Sequence, residues 1–148
     1  MMPREISAGA IIFRQVDNKP LYLLLHYPAM NHRSSRDFWD FPKGHIEPNE
    51  SIVQTIRREV KEETAIDDLV FIRGYKETIK YFFVHQGQKI FKIVIFLLAQ
   101  TQTEKVIISD EHCGFAWLPY DEAVKTVTFE NSKQLLKKAD VFVKKLKK

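Results

Sequence analysis

Residues 44–66 read GHIEPNESIVQTIRREVKEETAI, and they contain the clearest helix pattern in the chain. We predict a helix from Ser51 to about Thr64, capped by Ser51, with Gln54 three residues later completing a capping box. Pro48 lies upstream of this helix, where it cannot interrupt the backbone hydrogen bonds. The stretch therefore predicts a turn-rich loop that leads into an amphipathic helix.

Three glutamates share one part of this predicted helix. At about 100° per residue, Glu59, Glu62 and Glu63 fall within roughly a third of the circumference, beside an apolar arc. We expect them to be partly desolvated, and Glu59 and Glu63 have a spacing at which like charges repel. Pairing with Arg58 could offset part of this charge, and a divalent cation with oxygen ligands could offset more. From the helix alone, the glutamates could form either a metal site or a solvated, salt-bridged face.

The segments around the helix predict a mixture of strands and helices. We expect strands at 7–13, 21–26, 39–41, 69–84, 89–99 and 115–118, and further helices at 121–127 and 131–146. The last helix has a predicted apolar stripe of Leu135, Leu136, Val141, Phe142, Val143 and Leu146. Residues 28–37 are polar and irregular, which indicates a mobile loop. This order predicts an α/β fold with a mixed sheet covered on both faces.

The bulk composition is typical of a soluble globular protein. The chain has 148 residues, 45% hydrophobic and 28% charged, so we expect one domain spanning 1–148 and little disorder. No apolar run approaches the roughly 18 residues of a membrane span. Cys113 is the only cysteine, which we expect to be a small buried thiol. An intrachain disulfide is excluded, and these features together favour the cytoplasm.

The net charge of +4 arises at the C-terminal end of the sequence. Residues 133–148 hold seven lysines and one aspartate, a local charge of +6, so residues 1–132 carry −2. A uniformly basic nucleic-acid-binding face is therefore not indicated. We interpret the lysines as the solvated face of a C-terminal helix, with contact to an anion or RNA as the alternative.

The spacing within residues 44–66 resembles the Nudix box, GX5EX7REUXEEXGU, where U is a bulky aliphatic residue. Gly44, Glu50 and every charged position of the box are present. The one departure is Ala65, where the family has glycine, and this puts the geometry of the local turn in doubt. The change removes no charge, so we expect activity to survive. The resemblance implies a Nudix-type α/β/α sandwich with a central mixed sheet.

The resemblance also implies a metal-dependent hydrolase that uses Mg²⁺, with Mn²⁺ possible. The residues that would share the roles of metal ligand and general base are Glu59, Glu62 and Glu63. The backbone carbonyl of Lys43 would complete the coordination, with a further acid from a later loop. Glu111 is our candidate for that acid, and Asp110 is the alternative. Arg58 is also expected to be a catalytic residue. Together with Glu50 it would hold the loop and helix together through ion pairs.

The residues around the box narrow this resemblance. Residues 39–45 read WDFPKGH, which is similar to the entry to the box in hydrolases that cleave diadenosine tetraphosphate asymmetrically. Further agreement lies at 92–99, at 111–118 and from Phe129 onward, so the resemblance spans nearly the whole chain. On this basis the expected substrate is a small nucleotide, with no membrane partner. The oligomeric state is not indicated.

Five residues are candidates for substrate binding on this resemblance: Lys43, His45, Lys92, Tyr81 and Phe129. Lys92 and His45 could donate to phosphate oxygens, whereas Tyr81 and Phe129 could stack on adenine. The corresponding structural interpretations are a solvated strand lysine, a histidine that fixes a loop, and aromatic core packing.

Several activities remain in competition. The leading hypothesis is hydrolysis of diadenosine tetraphosphate to ATP and AMP. Other Nudix specificities are removal of an RNA 5′-pyrophosphate, hydrolysis of an oxidised nucleotide, and cleavage of ADP-ribose. A different class would be a non-catalytic Nudix module that binds a nucleotide or RNA.

Overall fold

The computed structural model describes residues 3–29 and 34–146. In these ranges the strands are β1 (Arg4–Val16), β2 (Lys19–Tyr27), β3 (Phe38–Asp40), β4 (Lys43–His45), β5 (Val70–His85), β6 (Gln88–Gln100) and β7 (Gly114–Pro119). The helices are α1 (Ile52–Thr64), α2 (Tyr120–Thr126) and α3 (Glu130–Lys145). No helix within the described residues is long and apolar enough to cross a membrane.

A single mixed sheet connects all seven strands. Its main order is β3-β2-β1-β6-β5, with β4 paired to β1 and β7 paired to β2. β1 and β6 are parallel, and the remaining pairs are antiparallel. On its other edge, the central strand β1 pairs with β4 through 7–9 and with β2 through 13–16. The box entry on β4 is thereby attached to the middle of the sheet.

Helices cover both faces of this sheet, because its strands alternate apolar side chains between two cores. Ile11 and Phe13 of β1 belong to the core that includes α3, whereas Ala10 and Ile12 belong to the core that includes α1. The architecture is the predicted α/β/α sandwich with a mixed sheet. Gly9 permits a close crossing at its centre, since a Cβ there would lie 2.7 Å from the carbonyl oxygen of Pro42.

Several local predictions differ from the structure. The predicted stripe of the last helix is wrong at Val141 and Leu146, which are exposed, and Ala139 is buried instead. The predicted buried thiol of Cys113 is also wrong, because this residue is exposed. Strand β4 was not predicted, since three residues are too short for an alternating pattern. Of the predicted loop at 28–37, residues 30–33 lie outside the described residues.

Candidate active site

Helix α1 begins with the interactions that its sequence predicts. The Ser51 side chain accepts from the backbone N–H of Gln54 at 3.1 Å, and the Gln54 side chain accepts from the Ser51 N–H at 2.8 Å. Two backbone donors that the first turn cannot satisfy are thereby paired. At the other end, Ala65 has a left-handed conformation (φ 67°), and its N–H donates to the carbonyl of Lys61 at 2.9 Å. The turn expected for glycine is thus formed by alanine.

Arg58 connects the helix to the loop that precedes it. Its Nε donates to Glu50 Oε2 at 2.7 Å, and its Nη2 donates to Glu50 Oε1 and to the carbonyl of His45, each at 3.0 Å. Its Nη1 donates to Glu59 Oε1 at 2.6 Å. The Arg58 guanidinium, together with the Glu47 backbone N–H and Thr55, lowers the pKa of Glu50 to about 2. The loop is therefore held by charged hydrogen bonds.

Gly44 allows the Glu59 side chain to lie directly against the loop backbone. A Cβ at Gly44 would fall 2.0 Å from Glu59 Cδ and 2.4 Å from its Oε1. Any side chain at position 44 would consequently displace the Glu59 carboxyl group. The glycine at the start of the box is explained by this close approach.

The three box glutamates have different environments. The Glu59 side chain is 18% exposed, that of Glu63 is 5% exposed, and that of Glu62 is 60% exposed. The expectation of partial desolvation thus describes Glu59, whereas Glu63 is buried and Glu62 is solvated. Arg58 Nη1 lies 3.7 Å from Glu62, which is the pairing expected for residues four apart.

Glu63 is the most perturbed of these acids. Its pKa is raised to about 7: burial is the largest cause, His112 opposes the rise, and the neighbouring Glu59 carboxyl adds to it. Glu63 Oε2 lies 3.3 Å from His112 Nε2, but the two atoms lack hydrogen-bond geometry, and each is buried with no other partner. A buried carboxylate whose Oε2 makes no hydrogen bond is costly, and a cation at the other oxygen of Glu63 would offset that cost.

These residues fit a hard divalent cation in their chemistry. Within the described ranges, no three His, Cys, Asp or Glu side chains already converge around one point. The available donors are carboxylate oxygens on one helix face, which is the ligand type that Mg²⁺ and Mn²⁺ prefer. Glu63 is a buried carboxylate whose Oε2 faces His112, which leaves its other oxygen for a cation, and the solvated Glu62 is not fixed by packing. The donor set therefore fits, although the side chains are not drawn together.

A cavity of about 400 Å³ lies beside this helix. The predicted site residues that line it are Lys43, Gly44, His45, Glu59, Tyr81, Lys92 and Glu111, whereas Glu62 and Glu63 are not part of its lining. Its further lining residues are Glu5, Ser7, Tyr27 and Phe83. Residues from distant parts of the sequence thus meet at one opening. Among the acids of the later loop, Glu111 lines this cavity, whereas Asp110 is exposed outside its lining.

Two basic residues of the cavity, Lys92 and His45, contact Glu5, an acid that sequence analysis missed. Lys92 is buried, and its Nζ donates to Ser7 Oγ at 2.7 Å and to Glu5 Oε1 at 3.2 Å. His45 Nε2 lies 3.3 Å from the same oxygen of Glu5. The interpretation of Lys92 as a solvated strand lysine is therefore wrong. Lys43 Nζ lies 3.6 Å from Asp40 Oδ2.

A smaller aromatic cavity of about 180 Å³ adjoins the first. It brings together the two residues predicted to stack on adenine, and its lining comprises Ile79, Tyr81, Phe82, Phe83, Phe129, Asn131 and Ser132. Tyr81 and Phe83 line both cavities. The Phe129 ring also packs against Phe38, with centroids 5.2 Å apart. Core packing and lining of a cavity are thus combined in this residue.

Comparison with known proteins agrees with this geometry. Residues 3–139 match the family described as the NUDIX domain. The asymmetrical bis(5′-nucleosyl)-tetraphosphatase of Sus scrofa is 34% identical over 146 residues, covering 93% of this chain and 94% of that protein. An RNA pyrophosphohydrolase of Legionella pneumophila is 28% identical over 131 residues, covering 76% and 75%. A crystal structure of a C. elegans Ap4A hydrolase binary complex superimposes with a TM-score of 0.80 and 30% identity, covering 95% and 98%.

The chain therefore belongs to the Nudix family and is a Nudix hydrolase. Hydrolases of this family act on small nucleotide substrates and generally use a divalent metal ion. The predicted family, fold class and enzyme class are confirmed, and the alternative of a non-catalytic binding module is disfavoured.

Proposed function

We propose that this chain is a Mg²⁺-dependent asymmetrical bis(5′-nucleosyl)-tetraphosphatase that converts diadenosine tetraphosphate to ATP and AMP. The observation that carries the proposal is a cavity lined by acidic and basic side chains, next to a smaller cavity lined by aromatic side chains. The similarity to the Sus scrofa and C. elegans proteins, which bear this activity in their names, supports it. A nucleotide with a long phosphate chain would use both cavities.

The acids of α1 would hold the metal and accept the proton of the attacking water. Bound Mg²⁺, held by Glu59, Glu62 and Glu63, would offset phosphate charge and make water more acidic. Glu63 is the proposed proton acceptor, because it is the buried acid of the three, and in the metal-free protein burial and the Glu59 charge raise its pKa. Glu111 on the cavity wall and the Lys43 carbonyl are the proposed additional ligands.

The phosphate chain would be held by the basic residues of the larger cavity. Lys92 is desolvated, so a phosphate oxygen near its ammonium would be bound more strongly than at the surface. His45 and Lys43 would donate to the neighbouring phosphates. Glu5 already holds Lys92 and His45, and a phosphate that displaces its carboxylate would inherit both donors.

The nucleoside would enter the smaller cavity and stack on its aromatic side chains. Tyr81 and Phe129 both line this cavity, and base stacking on one such side chain contributes about 1–3 kcal/mol. Because Tyr81 also lines the larger cavity, a base and the phosphates attached to it could contact one continuous surface.

A second candidate is removal of pyrophosphate from RNA 5′ ends. It is favoured by the similarity to the Legionella pneumophila RNA pyrophosphohydrolase and by the lysine-rich end of the chain. Exposed lysines of α3 could contact an RNA backbone, and such binding would weaken steeply with salt. The dinucleotide substrate is preferred because the matches to tetraphosphatases cover more of the chain.

A product assay distinguishes these activities. Purified protein is incubated with Mg²⁺ and each of diadenosine tetraphosphate, triphosphorylated RNA, ADP-ribose and an oxidised nucleoside triphosphate, and the products are separated by chromatography. We expect ATP and AMP in equal amounts from the dinucleotide, and hydrolysis in ¹⁸O water would show which product receives the label. Two molecules of ADP, or efficient action on RNA without action on the dinucleotide, would overturn the proposal.

Substitution of the acids tests the metal site itself. Glu59→Gln and Glu63→Gln should reduce kcat by at least about 100-fold, since each removes a charge required in the transition state. Glu104→Gln, an exposed acid away from the cavity, is the matched control and should retain full activity. Circular dichroism should show all three variants folded. The same assays with Mg²⁺, Mn²⁺ or a chelator identify the metal that supports turnover.

A further inference from the structure

His112 lies at the junction between the box helix and the later acidic loop. Its side chain is fully buried, and its Nε2 lies 3.3 Å from Glu63 Oε2. Both atoms are buried, and neither makes a hydrogen bond. The His112 ring also contacts the edge of the Tyr27 ring, with centroids 4.6 Å apart. A histidine placed here only for packing would leave a polar atom buried for no gain.

Hydrogen bonds on the other side of the ring indicate which nitrogen carries the hydrogen. The backbone N–H of Glu111 donates to Ser109 Oγ at 3.3 Å, so this oxygen already acts as an acceptor. The Ser109 hydroxyl can then donate to His112 Nδ1, which lies 3.0 Å away. In a neutral imidazole, a nitrogen that accepts leaves the other protonated. With the Ser109 hydroxyl assigned as the donor to Nδ1, Nε2–H faces Glu63.

The main chain of the same loop is attached to the same glutamate. The Ser109 N–H donates to the carbonyl of Glu63 at 3.2 Å, and the His112 N–H donates to the carbonyl of Ser109 at 3.1 Å. The His112 side chain thus lies on a short turn whose backbone is hydrogen-bonded to the end of α1. A fixed donor on such a segment can hold one Glu63 oxygen while the other turns toward a ligand.

We propose that His112 is a positioning residue, whose Nε2–H holds Glu63 and whose Nδ1 is oriented through Ser109 by the backbone of Glu111. The inference rests on the proposed function, because Glu63 and Glu111 are the acids assigned there to the metal. The contact is off-axis in the free protein, and such bonds commonly tighten when a ligand binds. Outer hydrogen bonds of this kind orient metal-binding carboxylates.

Two substitutions separate the donor from the ring. His112→Phe keeps the bulk and the edge contact with Tyr27 but has no donor, whereas His112→Gln can place an amide N–H where Nε2 lies. For His112→Phe we expect Mn²⁺ affinity, measured by electron paramagnetic resonance, to fall about 10–100-fold. Its kcat should fall by a similar factor, with the KM for the nucleotide little changed. His112→Gln should recover most of both losses.

Ser109→Ala provides an independent variant for the case in which the Phe variant does not fold. It removes the hydroxyl that orients His112 Nδ1, so Mn²⁺ affinity and kcat should fall in the same direction but less far. Matched controls are His85→Phe at the exposed end of β5 and Ser35→Ala on the surface, which should behave as wild type. Thermal unfolding of every variant confirms that the fold is retained.

The results distinguish a failure of the role proposed for His112 from a failure of the proposed function. Wild-type turnover and Mn²⁺ binding that persist unchanged in His112→Phe, or in Ser109→Ala, would overturn the role of His112 while the proposed function stands. Equal losses in the folded Phe and Gln variants would also overturn it, because the donor would then not be the reason. A wild-type protein that neither binds Mn²⁺ nor cleaves nucleotide would overturn both.

Discussion

Ala65→Gly is expected to stabilise this protein, although it replaces alanine with the more flexible residue. Ala65 ends α1 at φ 67° and ψ 10°, where the Cβ of an L-residue is crowded by the following carbonyl group. That conformation costs about 1–2 kcal/mol for alanine, whereas glycine adopts it freely. Because position 65 is exposed, the change leaves no cavity in the core.

The unfolded state reduces this gain. Glycine has more conformational freedom in the unfolded chain, which costs roughly 0.5–1 kcal/mol relative to alanine. The net stabilisation is therefore about 0.5–1 kcal/mol. For a chain of this size, 1 kcal/mol corresponds to about 2–4 °C in Tm, so we expect an increase of about 1–4 °C.

Urea denaturation and thermal unfolding measure this effect directly. Ala116→Gly is the matched control, since β7 requires no positive φ at that position, and it should lower stability by about 0.5–1 kcal/mol. The kcat of Ala65→Gly should match wild type, because the Glu63 carbonyl remains anchored by Ser109. An unchanged or lower free energy of unfolding for Ala65→Gly would refute the argument.

Three further predictions concern binding and pH. Lys92→Met should raise the KM for the dinucleotide about 10–100-fold through loss of a charged hydrogen bond of roughly 1.5–3 kcal/mol, and the exposed Lys89→Met should leave KM unchanged in the same assay. Phe129→Leu should raise KM by at least about fivefold through lost stacking while kcat is retained, as steady-state kinetics would show. Glu50, whose pKa Arg58 lowers from 4.5 to about 2, stabilises the fold above pH 4.5 and loses this contribution as pH falls through about 2. The stability difference between wild type and Glu50→Gln, measured by urea denaturation, should therefore shrink between pH 5 and pH 2.

Local patterns in the sequence predicted the elements that depend on near neighbours. The capping box needs only Ser51 and Gln54, three residues apart, and both hydrogen bonds are present. The strands at 7–13 and 21–26 were also predicted, but both are longer than expected. Asp17 and Asn18 both have positive φ, which lets a two-residue turn join β1 and β2 and extends both strands.

Contacts that depend on distant pairing could not be read from the sequence. Glu5 reaches Lys92 because β1 and β6 run parallel in register, with these two residues as direct partners. No local pattern specifies which strands become neighbours, so the sequence did not indicate that Glu5 would contact Lys92. His112 was seen beside Glu111 in the sequence, but its contact with Glu63 requires the later loop to fold over the end of α1.

The carboxylates around Arg58 carry more charge than its guanidinium can neutralise. Arg58 is within 4 Å of four carboxylates, with oxygens of Glu50 and Glu59 at 2.6–2.7 Å and of Glu47 and Glu62 at 3.4 and 3.7 Å. One positive charge cannot balance four negative ones, and the surplus lies beside a cavity that must receive phosphates. A polyphosphate that enters the cavity without a counter-ion would be repelled by the Glu59 carboxylate in its lining.

Metal and nucleotide should consequently bind with positive coupling. Lys92 is already paired with Glu5, so the cavity has little uncompensated positive charge to offer a polyanion. Each ligand therefore reduces the repulsion felt by the other, and by linkage the effect is equal in both directions. We expect the Kd of a non-hydrolysable dinucleotide, measured by calorimetry with the wild-type protein, to improve at least about fivefold when Mg²⁺ is added, within the usual 1–3 kcal/mol of coupling. Lys89→Met in the same assay is the control and should show the same coupling. Equal nucleotide affinity with and without Mg²⁺ would mean that the acids of α1 do not repel the phosphates and that the electrostatic account of this site is wrong.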